Sequence, residues 1–186
     1  MYAVNAADGE MRWKFATMSA VNSSPAVADG LVYFGSVDGF FYAVDAESGE
    51  LKWKFKTDGE RRFSAPGVHG MMPRTEVMPD RFDVFLSSPA VSGGMVYFGS
   101  GDHHVYALDA RTGDLKWKFA TGNVVHASPA VADGVVYIGS WDRYLYALRW
   151  PDRRGEMEIR AAMGTSMRWT RRRALRSGIT ITRKDR

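Results

Sequence analysis

The sequence predicts an all-β fold in which short antiparallel sheets of four strands are repeated along the chain. One observation is a recurring segment: AVNAADGEMRWKF at 3–15 returns as AVDAESGELKWKF at 43–55 and as ALDARTGDLKWKF at 107–119. A second is the spacing, which is 40 residues and then 64, or one period plus a 24-residue insertion. A third is that turn residues separate short apolar stretches, with no helical periodicity before residue 150.

Each period is interpreted as four strands in order. In the best-preserved copy we expect strands over about 23–28, 31–36, 40–46 and 50–57, separated by Asp-Gly and Ser-Gly pairs. The last strand alternates Leu, Trp and Phe with three lysines, so one face is buried and the other is solvated. A period of about forty residues with four antiparallel strands is typical of a β-propeller blade. The sequence therefore predicts a partial β-propeller of about three blades over residues 1–148.

Composition and charge narrow the class of protein. Of 186 residues, 45% are hydrophobic, which is enough for a packed core. No apolar run could span a membrane, and no signal peptide is visible at Met1. Because the chain has no cysteine, disulfides and thiolate metal sites are excluded. The net charge of +4 divides unevenly: 149–186 hold 12 Lys+Arg against 4 Asp+Glu, a net of +8, which leaves −4 for 1–148.

The residues common to the repeats follow the pattern Ala-x-Asp-x-x-x-Gly-x-x-x-Trp, and we expect them to serve the fold. The glycine suits a turn that needs positive φ, and the aspartate suits an Asx-turn. The tryptophan is too large for one thin blade, so we expect it to pack on the alanine and glycine of the neighbouring blade. These docking residues are Ala3, Gly9 and Trp13, then Ala43, Asp45, Gly49 and Trp53, then Ala107, Asp109, Gly113 and Trp117, with Asn5 replacing the first aspartate.

This pattern resembles the tryptophan-docking motif of pyrroloquinoline quinone (PQQ)-like propeller repeats, and the resemblance covers about residues 1–148. The family includes quinoprotein alcohol dehydrogenases, which bind the quinone and Ca²⁺ at the propeller centre. It also includes members without a cofactor, such as the propeller lipoprotein of the outer-membrane barrel-assembly machinery. The resemblance implies an extracytoplasmic parent protein, although the chain itself shows no export signal.

The resemblance leaves two functions open. A non-catalytic scaffold that binds a protein or small ligand is the first; a fragment of a PQQ- and Ca²⁺-dependent alcohol dehydrogenase is the alternative. The vicinal cysteines of the dehydrogenases are missing. The carboxylates Asp38, Asp102 and Asp142 recur once per blade in GS-x-D turns, which favours a turn role over Ca²⁺ binding. We therefore assign no catalytic residue, metal or cofactor.

The insertion at about 60–84 is the candidate binding segment. We expect it to share a face with the GS-x-D turns, because both connect strands at the same end of a blade. It is either a cover loop or the rim of a site for a peptide or an anionic ligand. The candidate face consists of Arg61, Arg62, His69, Arg74, Asp80 and Arg81 together with Asp38, Asp102 and Asp142. Adjacent His103 and His104 point to opposite faces of a strand and make a poor metal pair.

The basic segment 149–186 breaks the repeat and suggests either a nucleic-acid arm or a lost reading frame. EMEIR at 156–160, read one base later, permits KWKF, with a forced Trp at position 157, forty residues after Trp117. We therefore favour a frameshifted propeller gene. We expect 149–186 to be an irregular tail that forms no fourth strand, packs poorly and binds no nucleic acid specifically. An open arc of blades also exposes apolar faces through which the chain can self-associate.

Overall fold

The computed structural model describes the backbone of residues 1–58, 62–64, 77–79, 87–149, 157–163 and 166–174, and the side chains of 1–58, 87–149 and 158–163. All regular secondary structure in these residues is β, so the predicted all-β class is confirmed. None of the described elements is a helix with the length and apolar character of a membrane span.

The strands form three blades and a half-blade, all with antiparallel pairing in sequence order. The half-blade is β1 (Tyr2–Val4) and β2 (Met11–Lys14). The first blade is β3 (Ala26–Ala28), β4 (Leu31–Gly35), β5 (Phe40–Asp45) and β6 (Leu51–Lys56). A short pair in the insertion is β7 (Arg62–Ser64) and β8 (Val77–Pro79). The second blade is β9 (Ala90–Ser92), β10 (Met95–Gly99), β11 (His104–Asp109) and β12 (Leu115–Ala120). The third is β13 (Ala130–Ala132), β14 (Val135–Gly139), β15 (Tyr144–Arg149), β16 (Met157–Met163) and β17 (Ser166–Ala174).

The motif tryptophans join consecutive blades. The indole of Trp53 lies buried against Gly113 of the second blade, and its N–H donates to the carbonyl oxygen of Ala110 at 3.0 Å. Trp13 repeats the arrangement one blade earlier, on Gly49 and the carbonyl of Ala46. Trp13 and Trp53 are thus buried where two blades meet.

The alanine of the motif has a different neighbour from the predicted one. Ala43 lies directly opposite Trp53 of its own blade, with a bulge after the alanine, and Ala107 lies opposite Trp117 in the same way. Because alanine is small, each leaves room on the surface of the sheet for the tryptophan ring of the adjacent strand. The alanine that contacts the incoming tryptophan is instead the one in the turn, through its carbonyl group.

The turn aspartates form the expected Asx-turns. Asp45 Oδ1 accepts the backbone N–H groups of Glu47 and Ser48, and Asp109 Oδ1 accepts those of Arg111 and Thr112. The N–H of Ser48 is the largest cause of a pKa for Asp45 well below its ordinary value. These carboxylates remain charged and hold the turn that presents the docking glycine.

Serines near the inner strands add a second connection between blades. The N–H of Ser24 donates to Ser88 Oγ at 3.1 Å, and the N–H of Ser88 donates to Ser128 Oγ at 3.0 Å. Within a blade, Ser87 Oγ accepts the N–H of Gly99 at 2.9 Å. The repeated SSPAV and ASPAV segments therefore tie the inner ends of the blades together, a role that sequence reasoning missed.

The expectation that the segment after 149 forms no fourth strand is wrong. β16 pairs with β15 without a bulge, and it buries Ile159 and Ala162 against the third blade. The free edge of β15 offers unpaired backbone groups, which a strand can satisfy without the motif tryptophan. Arg160 stands opposite Ala147, where the other blades have tryptophan. The frameshift itself stays a hypothesis about the gene.

Substitution of the docking glycine tests the blade junction. Gly113 has φ +77°, and a Cβ there would lie 2.7 Å from the ring of Trp53. Gly134 has φ +71°, with no atom within 4 Å of an added Cβ. We expect Gly134→Ala to lower the free energy of unfolding by about 1 kcal/mol through backbone strain alone. Gly113→Ala should cost a further ~1–3 kcal/mol for displacing the indole. Urea unfolding of both variants measures the difference, and equal losses would contradict the docking role.

Candidate functional site: the turn face of the blades

One end of the blades carries the turns between the second and third strands and the connections that lead from one blade to the next. We call this end the turn face; its described parts are residues 16–24, 36–40, 57–58, 100–104, 120–128 and 140–144. Its opposite end carries the Asx-turns that receive the tryptophans. Loops at one end of a rigid scaffold are a common place for binding sites.

The three recurrent aspartates of the turn face each accept the same three hydrogen bonds. Asp102 accepts the N–H of His104 at 3.1 Å, the hydroxyl of Tyr106 at 2.7 Å and the N–H of Asp58 at 2.8 Å. Asp58 belongs to the connection from the preceding blade, so the carboxylate joins two blades. The equivalent donors are Phe40, Tyr42 and Met18 for Asp38, and Tyr144, Tyr146 and Gly122 for Asp142.

These carboxylates do not fit a hard-cation site. Ca²⁺ takes six to eight oxygens that converge on one point. Each aspartate here belongs to a separate blade junction, with its oxygens already accepting hydrogen bonds. Within the described ranges, no three His, Asp or Glu side chains come together as a metal site would require. The described residues therefore supply no donor set for Ca²⁺ beside a quinone.

The second blade has a histidine–aspartate ion pair at a position where its sister blades have an aromatic side chain. His104 Nδ1 lies 3.4 Å from a carboxylate oxygen of Asp102. The hydrogen bond to Asp102 raises the pKa of His104 above its ordinary value, although burial opposes this. Burial also works against the charged form of Asp102, but bonds from His104 and Tyr106 outweigh it and the pKa of Asp102 is lowered. Phe40 and Tyr144 occupy the equivalent positions in the other blades.

A large aromatic side chain is exposed on the turn face of the third blade. Trp141 is 64% exposed, and its ring meets the edge of the His126 ring at 5.0 Å between centroids. The equivalent positions hold Val37 and Gly101, so the blade does not need an indole there. Aligning the repeats reveals Trp141 as an exception, but Trp141 is not among the residues predicted for the site.

Two exposed or half-buried side chains of the turn face sit on left-handed backbone. The first blade has Gly39 at φ 83°, whereas the other two have His103 at φ 71° and Arg143 at φ 75°. A residue with a Cβ is strained in this region, where glycine is not. His103 and Arg143 thus adopt a backbone conformation that is costly for a residue with a Cβ, as Asp29 and Asp133 do at the opposite end.

The other residues of the predicted ligand face belong to the insertion. Arg61, His69, Arg74, Asp80 and Arg81 lie outside the described residues, and Arg62 lies in β7 without a described side chain. The described residue Asp58, which precedes the insertion, is held by Asp102 at the turn face. The Asp58 carboxylate also pairs with Lys118.

Comparison with known proteins gives the family. A family profile described as outer membrane protein assembly factor BamB matches residues 1–78 and 62–154. The chain belongs to the PQQ-like β-propeller family. No curated protein sequence matches it.

Solved structures of the PQQ-like family share its fold. BamB from Moraxella catarrhalis superposes with a TM-score of 0.64 at 16% identity, over 95% of this chain and 59% of that one. A quinohemoprotein alcohol dehydrogenase from Pseudomonas putida gives 0.53 at 22% identity, over 84% and 21%. The enzyme from Comamonas testosteroni gives 0.50 at 23%, over 81% and 20%. This PQQ-like chain thus spans about three fifths of the BamB structure and a fifth of the dehydrogenases.

The His104–Asp102 pair predicts a pH dependence of stability. Because the folded-state pKa of His104 is raised, the stabilisation is complete below its unfolded value of about 6.5 and is lost as pH rises through the folded value. The lowered pKa of Asp102 preserves the pair until acid pH. We expect the substitution His104→Phe, which introduces the residue found at this position in the first blade, to reduce the fall in the free energy of unfolding above pH 6.5. Urea titrations from pH 5 to pH 9 check this, and an unchanged slope would refute it.

The strained position at 143 predicts a stabilising substitution. Arg143→Gly should raise the free energy of unfolding by about 0.5–1 kcal/mol, because relief of backbone strain exceeds the added entropy of the unfolded chain. Arg111→Gly is the matched control, since Arg111 lies in an exposed turn and is not among the positive-φ residues. It should lower stability instead. Calorimetric melting of both variants distinguishes them; a loss in Arg143→Gly would contradict the strain.

Proposed function

We propose that this chain is a non-catalytic propeller scaffold that binds a protein through its turn face. The observation that carries the proposal is the exposed Trp141, a large aromatic side chain where sister blades have valine and glycine. Tryptophan and arginine are the residues most enriched among binding hot spots. Arg143 lies two positions away on the same turn, so the two can contact one partner.

Backbone strain at His103 and Arg143 supports the same surface. Strained conformations persist where function compensates for their cost. Both residues lie at the turn position that the first blade fills with glycine, and both belong to the end that carries Trp141. Asp29 and Asp133 also have positive φ but lie at the opposite end, so the strain supports this surface only together with the exposed Trp141.

The scaffold function also fits the polar groups of the turn face. The recurrent aspartates hold blades together by accepting a backbone N–H from the preceding connection, and each also accepts a Tyr hydroxyl of its own blade, so their oxygens are engaged. We therefore propose that the chain works without a cofactor. The alternative, a piece of a quinoprotein alcohol dehydrogenase, is supported by the fold shared with the two quinohemoprotein enzymes.

The BamB likeness suggests the kind of partner and the compartment. BamB is described as an outer membrane protein assembly factor. By analogy, we propose that this chain acts outside the cytoplasm and that its partner is a protein of outer-membrane assembly. This analogy rests on family membership and fold. The residues proposed to contact the partner are those of the turn face.

Binding measurements on purified outer-membrane assembly proteins test this proposal. Trp141→Val, which copies the first blade, should weaken binding by tenfold or more, as expected for a hot spot. Arg143→Gly should weaken binding while the protein becomes more stable, so misfolding cannot explain the loss. Arg111→Ala, in a turn at the opposite end, is the control and should bind normally.

Two outcomes would refute the scaffold. One is unchanged binding in both turn-face variants. The other is tight PQQ binding with Ca²⁺, accompanied by dye-linked alcohol oxidation, which would establish the dehydrogenase alternative.

A further inference from the structure

The fourth strand of the first two blades leaves one edge of its sheet open. β6 and β12 stand at the ends of their sheets, and none of the described strands pairs with their outer edges. The first strands β3, β9 and β13 lie against one another, so the fourth strands lie at the outside of the arc. Neighbouring blades pack on the faces of a sheet. A further blade would therefore not cover this edge.

The chain leads away from the open edge of β6. The N–H of Asp58, two residues after β6, bonds to Asp102 at the turn face of the second blade. β7 and β8, the described strands of the insertion, pair with each other and not with β6. The described part of the insertion therefore leaves this edge accessible.

β6 directs the backbone groups of its lysines to the open edge. The N–H of Thr57 donates to the carbonyl of Gly39 at 3.1 Å, and Phe55 and Trp53 continue this ladder in register with β5. In an antiparallel ladder, residues bonded to the neighbouring strand alternate with residues whose backbone groups point away from it. The N–H and C=O groups that point away from β5 are those of Lys52, Lys54 and Lys56. Unpaired groups of this kind can bond to an added strand.

The side chains along this edge are cationic and only partly neutralised. Lys52 pairs with Asp45 at 3.1 Å. Lys54 and Lys56 are exposed, and no described carboxylate pairs with either of them; the Lys54 ammonium lies 4.9 Å from the centroid of the Phe40 ring. Lysines on an edge strand repel the same edge of another copy. The edge of β6 therefore favours an acidic strand over a second copy of itself.

The equivalent edge of β12 has the same backbone geometry but neutralised charges. The register of β12 on β11 repeats that of β6 on β5. Lys116 pairs with Asp109 at 3.1 Å, Lys118 pairs with Asp58, and Ala120 takes the place of the third lysine. Cationic side chains without a described carboxylate partner thus distinguish the open edge of β6 from that of β12.

The third blade shows that this fold accepts a further strand beyond the fourth. β17 pairs antiparallel with the outer edge of β16, from Met157 opposite Ala174 to Met163 opposite Ser166. The three inner strands of that blade keep the register found in the first blade. A fifth strand is therefore compatible with the blade and does not alter the pairing inside it.

We propose that the open edge of β6 binds an extended acidic segment of a partner protein as an added antiparallel strand. Main-chain hydrogen bonds give such strand addition its affinity, and alternate side chains give it specificity. Acidic residues at every second position of the segment lie directly opposite Lys52, Lys54 and Lys56, on the same face of the sheet. They supply the carboxylates that Lys54 and Lys56 lack among the described residues. This edge is separate from the turn face, so the proposal does not depend on Trp141.

Fluorescence anisotropy of a labelled peptide in which glutamate alternates with threonine, titrated with the whole 186-residue chain, tests the proposal. We expect saturable binding that weakens with added salt, and no binding of a peptide in which lysine replaces glutamate. Lys54→Gln combined with Lys56→Gln should weaken binding about tenfold, because two cross-strand charge pairs are lost.

The matched control is the corresponding pair of lysines on β12. Lys116→Gln combined with Lys118→Gln removes two intrachain ion pairs and should bind the peptide as the wild type does. Weaker binding of the β6 variant then cannot be attributed to a general loss of stability.

Methylation of the peptide backbone separates strand addition from a contact between charges alone. In the proposed pairing the glutamate N–H groups point towards β6 and the threonine N–H groups point away. N-methylation of the central glutamate should therefore abolish binding, whereas N-methylation of an adjacent threonine should preserve it. Absence of binding by the acidic peptide, equal weakening by the two lysine pairs, or equal binding of the two methylated peptides would overturn the proposal.

Discussion

The junction between two blades depends on a tryptophan side chain that projects from its own sheet and packs on a glycine of the next blade. A thin four-stranded blade cannot bury a tryptophan alone, so the side chain is covered only when a neighbour is present. Gly113 meets two demands at once: positive φ and space for the Trp53 ring. The indole N–H then bonds to the Ala110 carbonyl, so the contact is both apolar and directional. Because this contact is asymmetric, a blade meets its two neighbours through different surfaces.

Two sets of polar contacts reinforce the junction, one at the inner strands and one at the turn face. The serines tie the inner strands, while the turn aspartates tie each second-to-third-strand turn to the connection from the preceding blade. Buried polar groups are costly without partners, and here the partners belong to the adjacent blade. Tyr106 illustrates the effect: its oxygen accepts the N–H of Asp58 from the preceding blade at 2.9 Å, and its hydroxyl, whose pKa burial raises far above the ordinary value, donates to Asp102. The same polar groups recur in each blade because each junction uses the same hydrogen bonds.

In the proposed function, the candidate binding residues are side chains that depart from the repeat. Trp141, His103 and Arg143 occupy positions where another blade has a smaller residue or glycine, and all three lie at the turn face. Residues common to all blades are explained by packing and hydrogen bonding. This division separates the structural aspartates from the candidate binding residues, although both belong to the same turns.

The sequence by itself determined the blade, its strands and the docking tryptophans and glycines, because a forty-residue period with alternating apolar positions admits few other arrangements; it assigned the motif alanine to the wrong neighbour. It also indicated that Asp38, Asp102 and Asp142 serve turns. Only the tertiary structure decided which partners these groups meet, because Asp58 and Asp102, or Trp53 and Ala110, are distant in sequence and come together only when blades stack. Sequence reasoning failed most clearly at β16. It treated the missing tryptophan as the loss of a strand, but pairing depends on the free backbone edge of β15, which any extended segment of suitable side chains can satisfy.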